Sequence, residues 1–567
     1  MLSRRIGRAG GAPLHAAFQA GNVDCIVRLK PGAAGASSRS SVWVVASSGA
    51  LRRDQDRADP STSAQRRTIA RSCRNPWSRH LRLGAADVAT TTNLHRGVRD
   101  LTQGPVGATL FSFALPTLAS SVLQSLGGSV NSIWVGRFLG EEALAATING
   151  NMVSFLMMAL AFGAGMSATI LVGRAVGAGD LGQARRIMGT GFGAFAAISI
   201  AVAVLGWMAT PTILRVLGTP AGAEPLAEVY LRFTFIGAPG ALLASLLLMG
   251  LRGCGDSISP MWFTIATVAV DVVLNPLLIL GLGPLPRLGV GGAALALALA
   301  NYVTLLAICA WIYWRDLAIR LRGREIGCLL PDPRLLWDIF CKGLPMGLQM
   351  IVMTVAAMTI LRLVNREGVA TAAAYGVAQQ LWGYLQLPAM AVSAGVSTLS
   401  AQAIGARDWP RVKEIVRHGV VASLILTLGC VVTLHTIGGQ LIGLFVGQAS
   451  PIIPLAKHII WMTSIGFCFF AMSSTLFASL RADGVVVRPL LISCLALFGV
   501  RLGCAYSGYP IIGANALWLS LTAGQFATWL MAAGLYKLEA QRRHIRRREE
   551  EQVEKHLALQ VEDGVTA

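Results

Sequence analysis

Long apolar segments follow one another from residue 109 onward, and short polar connections separate them. Each segment is near or above the ~20 residues that an α-helix needs to cross ~30 Å of hydrocarbon. Because every backbone polar group in lipid needs an internal partner, such segments adopt helices. The pattern predicts an all-α polytopic membrane protein with about twelve transmembrane helices. The predicted spans are 109–135, 144–173, 187–209, 226–250, 259–282, 291–314, 335–361, 370–401, 414–437, 456–479, 488–507 and 513–536.

The first 98 residues differ from the rest, because they are rich in Arg, Ser, Ala and Gly and lack a long apolar run. Their composition resembles that of a transit peptide. The simpler interpretation is a disordered extension, or a start codon assigned too early. We therefore expect a protein that begins near Val88 to be active. The remaining chain is predicted to form a first lobe (99–325), a second lobe (326–540) and a basic cytoplasmic tail (541–567).

Composition supports a membrane domain. Hydrophobic residues make up 54% of the 567 residues and charged residues only 13%, about half of the ~25% found in typical soluble domains. The formal charge of +20 would suggest nucleic-acid binding in a soluble protein. Here the positive charge lies in the first hundred residues, in short loops and in the tail, so no nucleic-acid partner is expected.

Loop charges predict the orientation in the membrane. The loops on the side of the N-terminus hold most of the basic residues, among them Arg174, Arg185, Arg320 and Arg411. Cytoplasmic loops carry the excess of Lys and Arg in membrane proteins. We therefore predict a multi-pass protein of the cell inner membrane with both termini in the cytoplasm.

The chain contains an internal repeat. The pattern Leu-Arg-x-x-Gly, followed by a proline five residues later, occurs at Arg252 and again at Arg481. Pro116 of the first half corresponds to Pro345 of the second. The separation is the same for both pairs, which predicts two six-helix repeats of the same orientation. Repeats of this kind are related by an axis along the membrane normal and hold the substrate site between them.

Several short motifs resemble the multidrug and toxic compound extrusion (MATE) family, in the expected order. They are Phe113-Ala-Leu-Pro116, Ile133-Trp-Val-Gly-Arg-Phe-Leu-Gly140, Leu251-Arg-Gly-Cys-Gly-Asp256, Gly343-Leu-Pro345 and Ala403-Ile-Gly-Ala406. The likeness covers roughly residues 100 to 540. The resemblance implies export of small organic, often cationic, compounds in exchange for H⁺ or Na⁺.

The chain is more similar to the DinF-like members, yet it departs from their coupling residues. Those members carry an acid on the first helix where this chain has Asn131, and Asn-x-x-x-Asp-Pro on the fifth helix. Here the order is reversed, as Asp271-Val-Val-Leu-Asn275-Pro276. The family's coupling residues therefore cannot simply be copied onto this chain.

Asp271 is the candidate coupling residue because it is the acidic residue deepest within an apolar span. Charged groups at membrane depth tend to mark ion or proton paths. Asn275 follows four residues later on the same helix face, and the amide of Asn131 would add an oxygen. Together they would exchange protons or ligate Na⁺. The alternative is a structural carboxyl group that hydrogen-bonds to neighbouring helices.

Other polar residues at membrane depth are candidates for the substrate cavity. They are Asn149, Asn151, Asn301, Tyr302, Gln379 and Gln380, and by resemblance their helices (2, 6 and 8) border the central cavity. Trp382 would offer an aromatic face to a cationic compound. The alternative is ordinary hydrogen bonding between helices.

Signatures of other function classes are missing from the sequence. It has no P-loop, no catalytic constellation and no Cys or His spacing typical of a metal site. We expect no enzyme activity and no cofactor other than the coupling ion. The predicted function is ion-coupled efflux by a monomer whose partners are a small organic substrate and the lipid bilayer. The alternative is a lipid-linked saccharide flippase of the same superfamily.

Overall fold

A computed structural model describes residues 99–216, 222, 224–281, 286–447 and 450–566, and the backbone of three short strands nearer the start. Contacts divide the chain into a unit Leu94–Ala540 and a unit of Met1–Asn93 with Gln541–Ala567. The strands are β1 Ala16–Ala17, β2 Cys25–Leu29 and β3 Val42–Ala46, antiparallel in that order. The rest of the segment 1–98, for which the sequence predicts disorder, lies outside the described residues.

Twelve long helices account for most of the unit Leu94–Ala540 in its described part. They are α1 Val106–Leu139, α2 Glu141–Gly177, α3 Leu181–Val216, α4 Glu224–Gly253, α5 Ile258–Leu280, α6 Val290–Trp314, α7 Pro333–Val364, α8 Val369–Gly405, α9 Trp409–Val446, α10 Ile452–Ala482, α11 Val487–Ile512 and α12 Asn515–Thr566. Short 3₁₀ helices occupy Gly323–Leu329 and Asn365–Glu367.

Every predicted span corresponds to one of these helices, most of which extend a few residues further at both ends. The excess arises because backbone hydrogen bonding continues past the apolar segment into polar residues that also favour helix. Eleven of the helices in the described ranges are long and apolar enough to cross a membrane. The exception is α12, whose membrane part includes polar Asn515 and Gln525 and whose helix continues to Thr566.

Several helices are irregular inside the membrane-spanning region. Prolines lie within α1, α4, α5, α7 and α8 at Pro116, Pro239, Pro276, Pro345 and Pro388. The middle of α11, Leu495–Leu502, is a π-helix. A π-turn holds one more residue than an α-turn, so the side chains beyond it are rotated about the helix axis.

Helices α1–α6 and α7–α12 form two lobes. In the first lobe α4 packs against α2, α3 and α6, and in the second lobe α8 packs against α9 and α10. Each lobe has a buried apolar core, which includes Met188, Leu247 and Ile308 in the first and Trp382 and Trp518 in the second. The lobes correspond to the two predicted repeats.

The lobes touch closely at one end of the bundle, which holds residues 163–177 and 395–405 and which we call the closed face. Small residues bring the backbones together there. A side chain at Gly163 would collide with the Gly343 carbonyl, and one at Gly177 with the Gln402 carbonyl. Gly405 fits in the same way against the Arg174 backbone. Glycine therefore sets the approach of the lobes.

Away from the closed face, the same three helices, α2, α7 and α8, expose large side chains. Met152 and Phe155 on α2 and Met353 and Met358 on α7 are all exposed. Gln379 and Gln380 on α8 are exposed at a similar depth. We interpret this exposure as a cleft between the lobes that opens away from the closed face.

Candidate functional site

The acidic residue at the centre of the site is Asp271 on α5. Its side chain is 5% exposed, and Asn275 one turn later is fully buried. The Asn275 amide nitrogen donates to the Asp271 backbone carbonyl over 3.0 Å, which fixes the amide so that its oxygen points away. Asp271 Oδ1 and Asn275 Oδ1 are both buried without a hydrogen-bond donor.

Asn131 adds a third buried oxygen from the neighbouring helix. Helices α1 and α5 run in the same direction, and a side chain at Gly127 on α1 would lie 3.2 Å from Val268 on α5. Asn131 is one turn beyond Gly127, and Asp271 is one turn beyond Val268. Asn131 Oδ1 is buried without a donor as well. The predicted coupling residues thus lie on neighbouring turns of α1 and α5, and each contributes one buried oxygen that accepts no hydrogen bond.

A tyrosine that sequence reasoning missed completes the polar surroundings of Asp271. Tyr230 on α4 is buried and within electrostatic reach of Asp271. Its hydroxyl donates to Asn151 Oδ1 over 3.1 Å. Gly150 makes room for the ring, because a side chain there would collide with it. Tyr230 thereby connects the coupling residues to Asn151, a predicted cavity residue. The only signal in the sequence was a tyrosine at membrane depth.

The predicted pair on α6 is bound within the first lobe. The Asn301 amide donates to the Leu297 carbonyl over 2.9 Å, and the Tyr302 hydroxyl donates to the Ile236 carbonyl over 2.7 Å. Tyr302 also packs against Gly240 on α4. Asn301 therefore bonds within its own helix, and Tyr302 connects α6 to α4. The side chain of Asn149 on α2 lies outside the described residues.

The predicted pair on α8 faces the cleft, together with Tyr384, which the sequence suggests as an aromatic face for a cationic compound. Gln379 and Gln380 are exposed. Tyr384, one turn on, lies next to Gln380 of its own helix and Ser129 of α1. This contact spans the two lobes at the depth where they begin to diverge. Tyr384 therefore lies at the base of the cleft.

Trp382 differs from its predicted place. The ring is 5% exposed and belongs to the core of the second lobe, where it contacts Tyr375 and Phe467. It does not face the cleft between the lobes. The reason is helix geometry, since Trp382 lies about 200° around α8 from Gln380 at ~100° per residue.

At the closed face, the segment that precedes α1 bridges the two lobes. Gln402 of α8 accepts from the Leu101 amide over 3.1 Å and donates to the Gly253 carbonyl over 3.2 Å. Arg411 of α9 donates to the carbonyl groups of Leu101, Gln103 and Gly104. We call residues 99–105 the strap. Its backbone is held by side chains of the second lobe.

A family model described as MatE matches residues 116–277 and 345–507, once in each lobe. The two matches lie in equivalent parts of the two repeats, since they begin at Pro116 and Pro345, the prolines that the internal repeat pairs. The match in the second lobe is the longer by a single position.

Curated relatives match over most of their length. The probable multidrug resistance protein YoeA of Bacillus subtilis is 29% identical over 437 residues, which cover 77% of this chain and 94% of the relative. The multidrug export protein MepA of Staphylococcus aureus is 25% identical over 413 residues, which cover 70% and 89%.

A solved structure has the same fold. It is an outward-facing conformation of a multidrug resistance MATE family transporter of the MOP superfamily, at a TM-score of 0.72 and 21% identity. The match covers 77% of this chain and 97% of that one. The two-lobed arrangement is thus an established fold.

Proposed function

We propose, since the chain belongs to the MatE family, that it exports small organic compounds, cationic ones foremost, in exchange for H⁺ or Na⁺. Efflux across a membrane is the activity of the family, whose members are transporters and not enzymes. The coupling ion, the residues that take it up and the charge of the substrate are our proposal. The observation that carries it is the set of three buried, unpaired oxygens on Asp271, Asn275 and Asn131.

The chemistry of this cluster favours a cation or a proton. Three oxygens, on Asp271, Asn275 and Asn131, are buried without a donor. An unsatisfied buried polar group costs about 1–3 kcal/mol, and more when it is charged. A proton on Asp271, or a Na⁺ ion among the three oxygens, would remove that cost. Either ligand would stabilise the arrangement of α1 against α5 that brings the oxygens together.

The cleft supports the proposed route for the substrate. Tyr384, Gln380 and the exposed methionines of α2 and α7 would offer hydrogen-bonding groups and an adaptable apolar surface. If the closed face is cytoplasmic, as the loop charges predict, the cleft opens outward. Uptake of the ion from outside would then favour return to the inward-open state.

Efflux of ethidium from cells tests the proposal. We expect wild-type cells to export the dye, and Asp271→Asn to reduce the initial rate at least tenfold at matched membrane levels. The amide keeps the shape of the side chain and removes its ability to exchange a proton or carry charge. Collapse of the H⁺ gradient and the Na⁺ gradient in separate runs identifies the ion, because export should stop with only one of them.

Asp316→Asn is the matched control. Asp316 lies outside the membrane spans, and hydrogen bonding from Arg322 helps hold the pKa of its carboxyl below its ordinary value. Its replacement removes the same charge from an exposed position and should leave export unchanged. Export by Asp271→Asn at the wild-type rate would show that Asp271 is structural and refute coupling through it.

A further inference from the structure

An arginine of the first lobe holds the end of a helix in the second lobe. Arg174, near the end of α2, is half-buried. Its Nε donates to the Ala482 carbonyl over 2.8 Å, and its Nη2 donates to the same oxygen. Ala482 is fully buried and is the last residue of α10. This contact crosses between the lobes at the closed face, and the proposed export cycle gives it no role.

The Ala482 carbonyl needs a donor from outside its own helix. The last carbonyl groups of an α-helix have no donor within the helix. The three amides that follow Ala482 donate to carbonyl groups earlier in α10. The guanidinium of Arg174 therefore replaces a missing backbone donor. Its positive charge also lies at the negative end of the helix dipole, which is a favourable place for a cation.

The same contact recurs in the opposite direction. Gln402 Nε2 donates to the Gly253 carbonyl over 3.2 Å, and Gly253 is the last residue of α4. Arg174 and Gln402 lie three residues before the ends of α2 and α8, which are Gly177 and Gly405. The two side chains thus hold equivalent positions in the two repeats. Each donates to the last carbonyl group of a helix in the other lobe.

The turns beyond the two helix ends also have the same geometry. Gly255 follows α4 and Gly484 follows α10, and both have a positive φ. A Cβ at Gly255 would lie 3.2 Å from Gln402 Nε2, and a Cβ at Gly484 would lie 3.5 Å from Arg174 Nη2. The repeats therefore share the receiving turn as well as the position of the donor. They differ in the donor itself, which is an amide in one case and a guanidinium in the other.

We propose that Arg174 and Gln402 are paired gate residues, which fasten the lobes across the closed face and have to release their carbonyl groups before this face opens. Opening would break both contacts, because each of them joins the two lobes. The pair would stabilise the conformation in which the face is closed and limit how often it opens. The inference goes beyond the proposed function and is the same for either coupling ion.

A cysteine placed between the lobes tests the gate. Ile170 of α2 is 2% exposed and belongs to one buried cluster with Met346 and Ala401 of the second lobe. Separation of the lobes would therefore expose it. The rate at which N-ethylmaleimide alkylates Ile170→Cys is measured in the cysteine-free full chain in phosphatidylcholine nanodiscs.

Removal of either donor should make this cysteine react faster. We expect Arg174→Met to raise the alkylation rate roughly tenfold, as loss of a charged hydrogen bond does. Gln402→Met removes neutral hydrogen bonds and should raise the rate roughly fivefold. Because glutamine is the donor at the equivalent position 402, Arg174→Gln should keep part of the protection that Arg174→Met loses.

Arg185→Met is the matched control. Arg185 of α3 is half-buried and also donates to a backbone carbonyl, that of Ala318 over 2.9 Å, but this contact lies within the first lobe. Its loss should leave the alkylation rate at position 170 as in wild type. An equal increase in Arg185→Met and Arg174→Met would mean that any such loss loosens the protein, and would refute the gate.

A second cysteine distinguishes opening from unfolding. Ile308 is fully buried in the core of the first lobe, so Ile308→Cys should stay unreactive in every variant. The gate is also refuted if Arg174→Met leaves the rate at position 170 unchanged, raises the rates at both positions alike, or is matched by Arg174→Gln. No substrate or ion gradient is present, so the result is independent of ethidium efflux by Asp271→Asn, which tests the proposed function.

Discussion

At the scale of single residues, the half-buried Arg481 shows how this chain compensates the charge of an arginine without an acid. Arg481 at the end of α10 donates to Gln349 Oε1 over 2.6 Å. The Gln349 amide nitrogen donates to Ser493 Oγ, also over 2.6 Å, and Ser493 donates to the Pro489 carbonyl over 2.9 Å. The equivalent Arg252 of the first lobe has a buried Nε without an acceptor.

Removal of the amide in this chain of hydrogen bonds should destabilise the protein. Gln349→Leu leaves the Arg481 guanidinium without its oxygen, at an expected cost of roughly 1–3 kcal/mol. We expect a lower melting temperature of the detergent-solubilised protein. Addition of Arg481→Met should recover much of the loss, because an apolar pair replaces the uncompensated charge. Gln183→Leu, at an exposed glutamine of α3, is the control and should melt like wild type.

The sequence could identify the candidate coupling site in part. Asp271 stood out as a deep acid, and helical spacing placed Asn275 on its face. The position of Asn131 opposite α5 was suggested only by the family pattern. Tyr230 was not predicted because its partner Asn151 lies on another helix, at a separation that no local pattern encodes. Trp382 was misplaced for the related reason that hydropathy identifies a span and does not say which side faces a cleft.

At the scale of elements, the helices followed from apolar length, but the interruption of α11 did not. Its sequence Leu-Ala-Leu-Phe-Gly-Val-Arg-Leu reads as a continuous apolar helix. Residue propensity does not distinguish the i→i+5 hydrogen bonds of a π-helix from the i→i+4 bonds of an α-helix, so the sequence did not predict it.

Loss of the hydrogen bonds that hold the strap should loosen the closed face. Arg411 donates to three strap carbonyl groups, and Arg411→Gln would lose most of these bonds. We expect backbone amides of residues 101–105 to exchange hydrogen for deuterium at least tenfold faster, measured by mass spectrometry on the protein in nanodiscs.

Arg417→Gln serves as the comparison for the strap, since Arg417 is an exposed residue of the same helix. It should leave the exchange of residues 101–105 as in wild type. Equal protection of the strap in Arg411→Gln and wild type would show that Gln402 and apolar packing of Leu101 hold it without the arginine.

At the scale of the whole molecule, the two lobes meet at one end and diverge at the other. The contact depends on the close approach of two backbones, since a side chain at Gly177 would collide with the Gln402 carbonyl. Gly177→Val should therefore force the closed face apart and shift the population toward the opposite opening. Gly429→Val is the control, because no atom lies within 4 Å of the added Cβ.

Spin labels report this shift by double electron–electron resonance in a cysteine-free background. Labels at Gln183 and Glu414 flank the closed face, and labels at Phe138 and Val369 flank the opening; all four positions are exposed. In Gly177→Val we expect the first distance to lengthen and the second to shorten. Unchanged distances would mean that the lobes absorb the side chain locally and that the glycine contacts do not set the conformation.

The glycine contacts at the closed face also make the effects of mutation one-sided. Gly163, Gly177 and Gly405 already carry the smallest side chain, so every substitution there adds volume and none can tighten the contact. Random change at these positions can only weaken one of the two conformations of the cycle. Any variant that favours the state with this face closed has to arise elsewhere, in the strap or along the cleft, where a side chain can be gained.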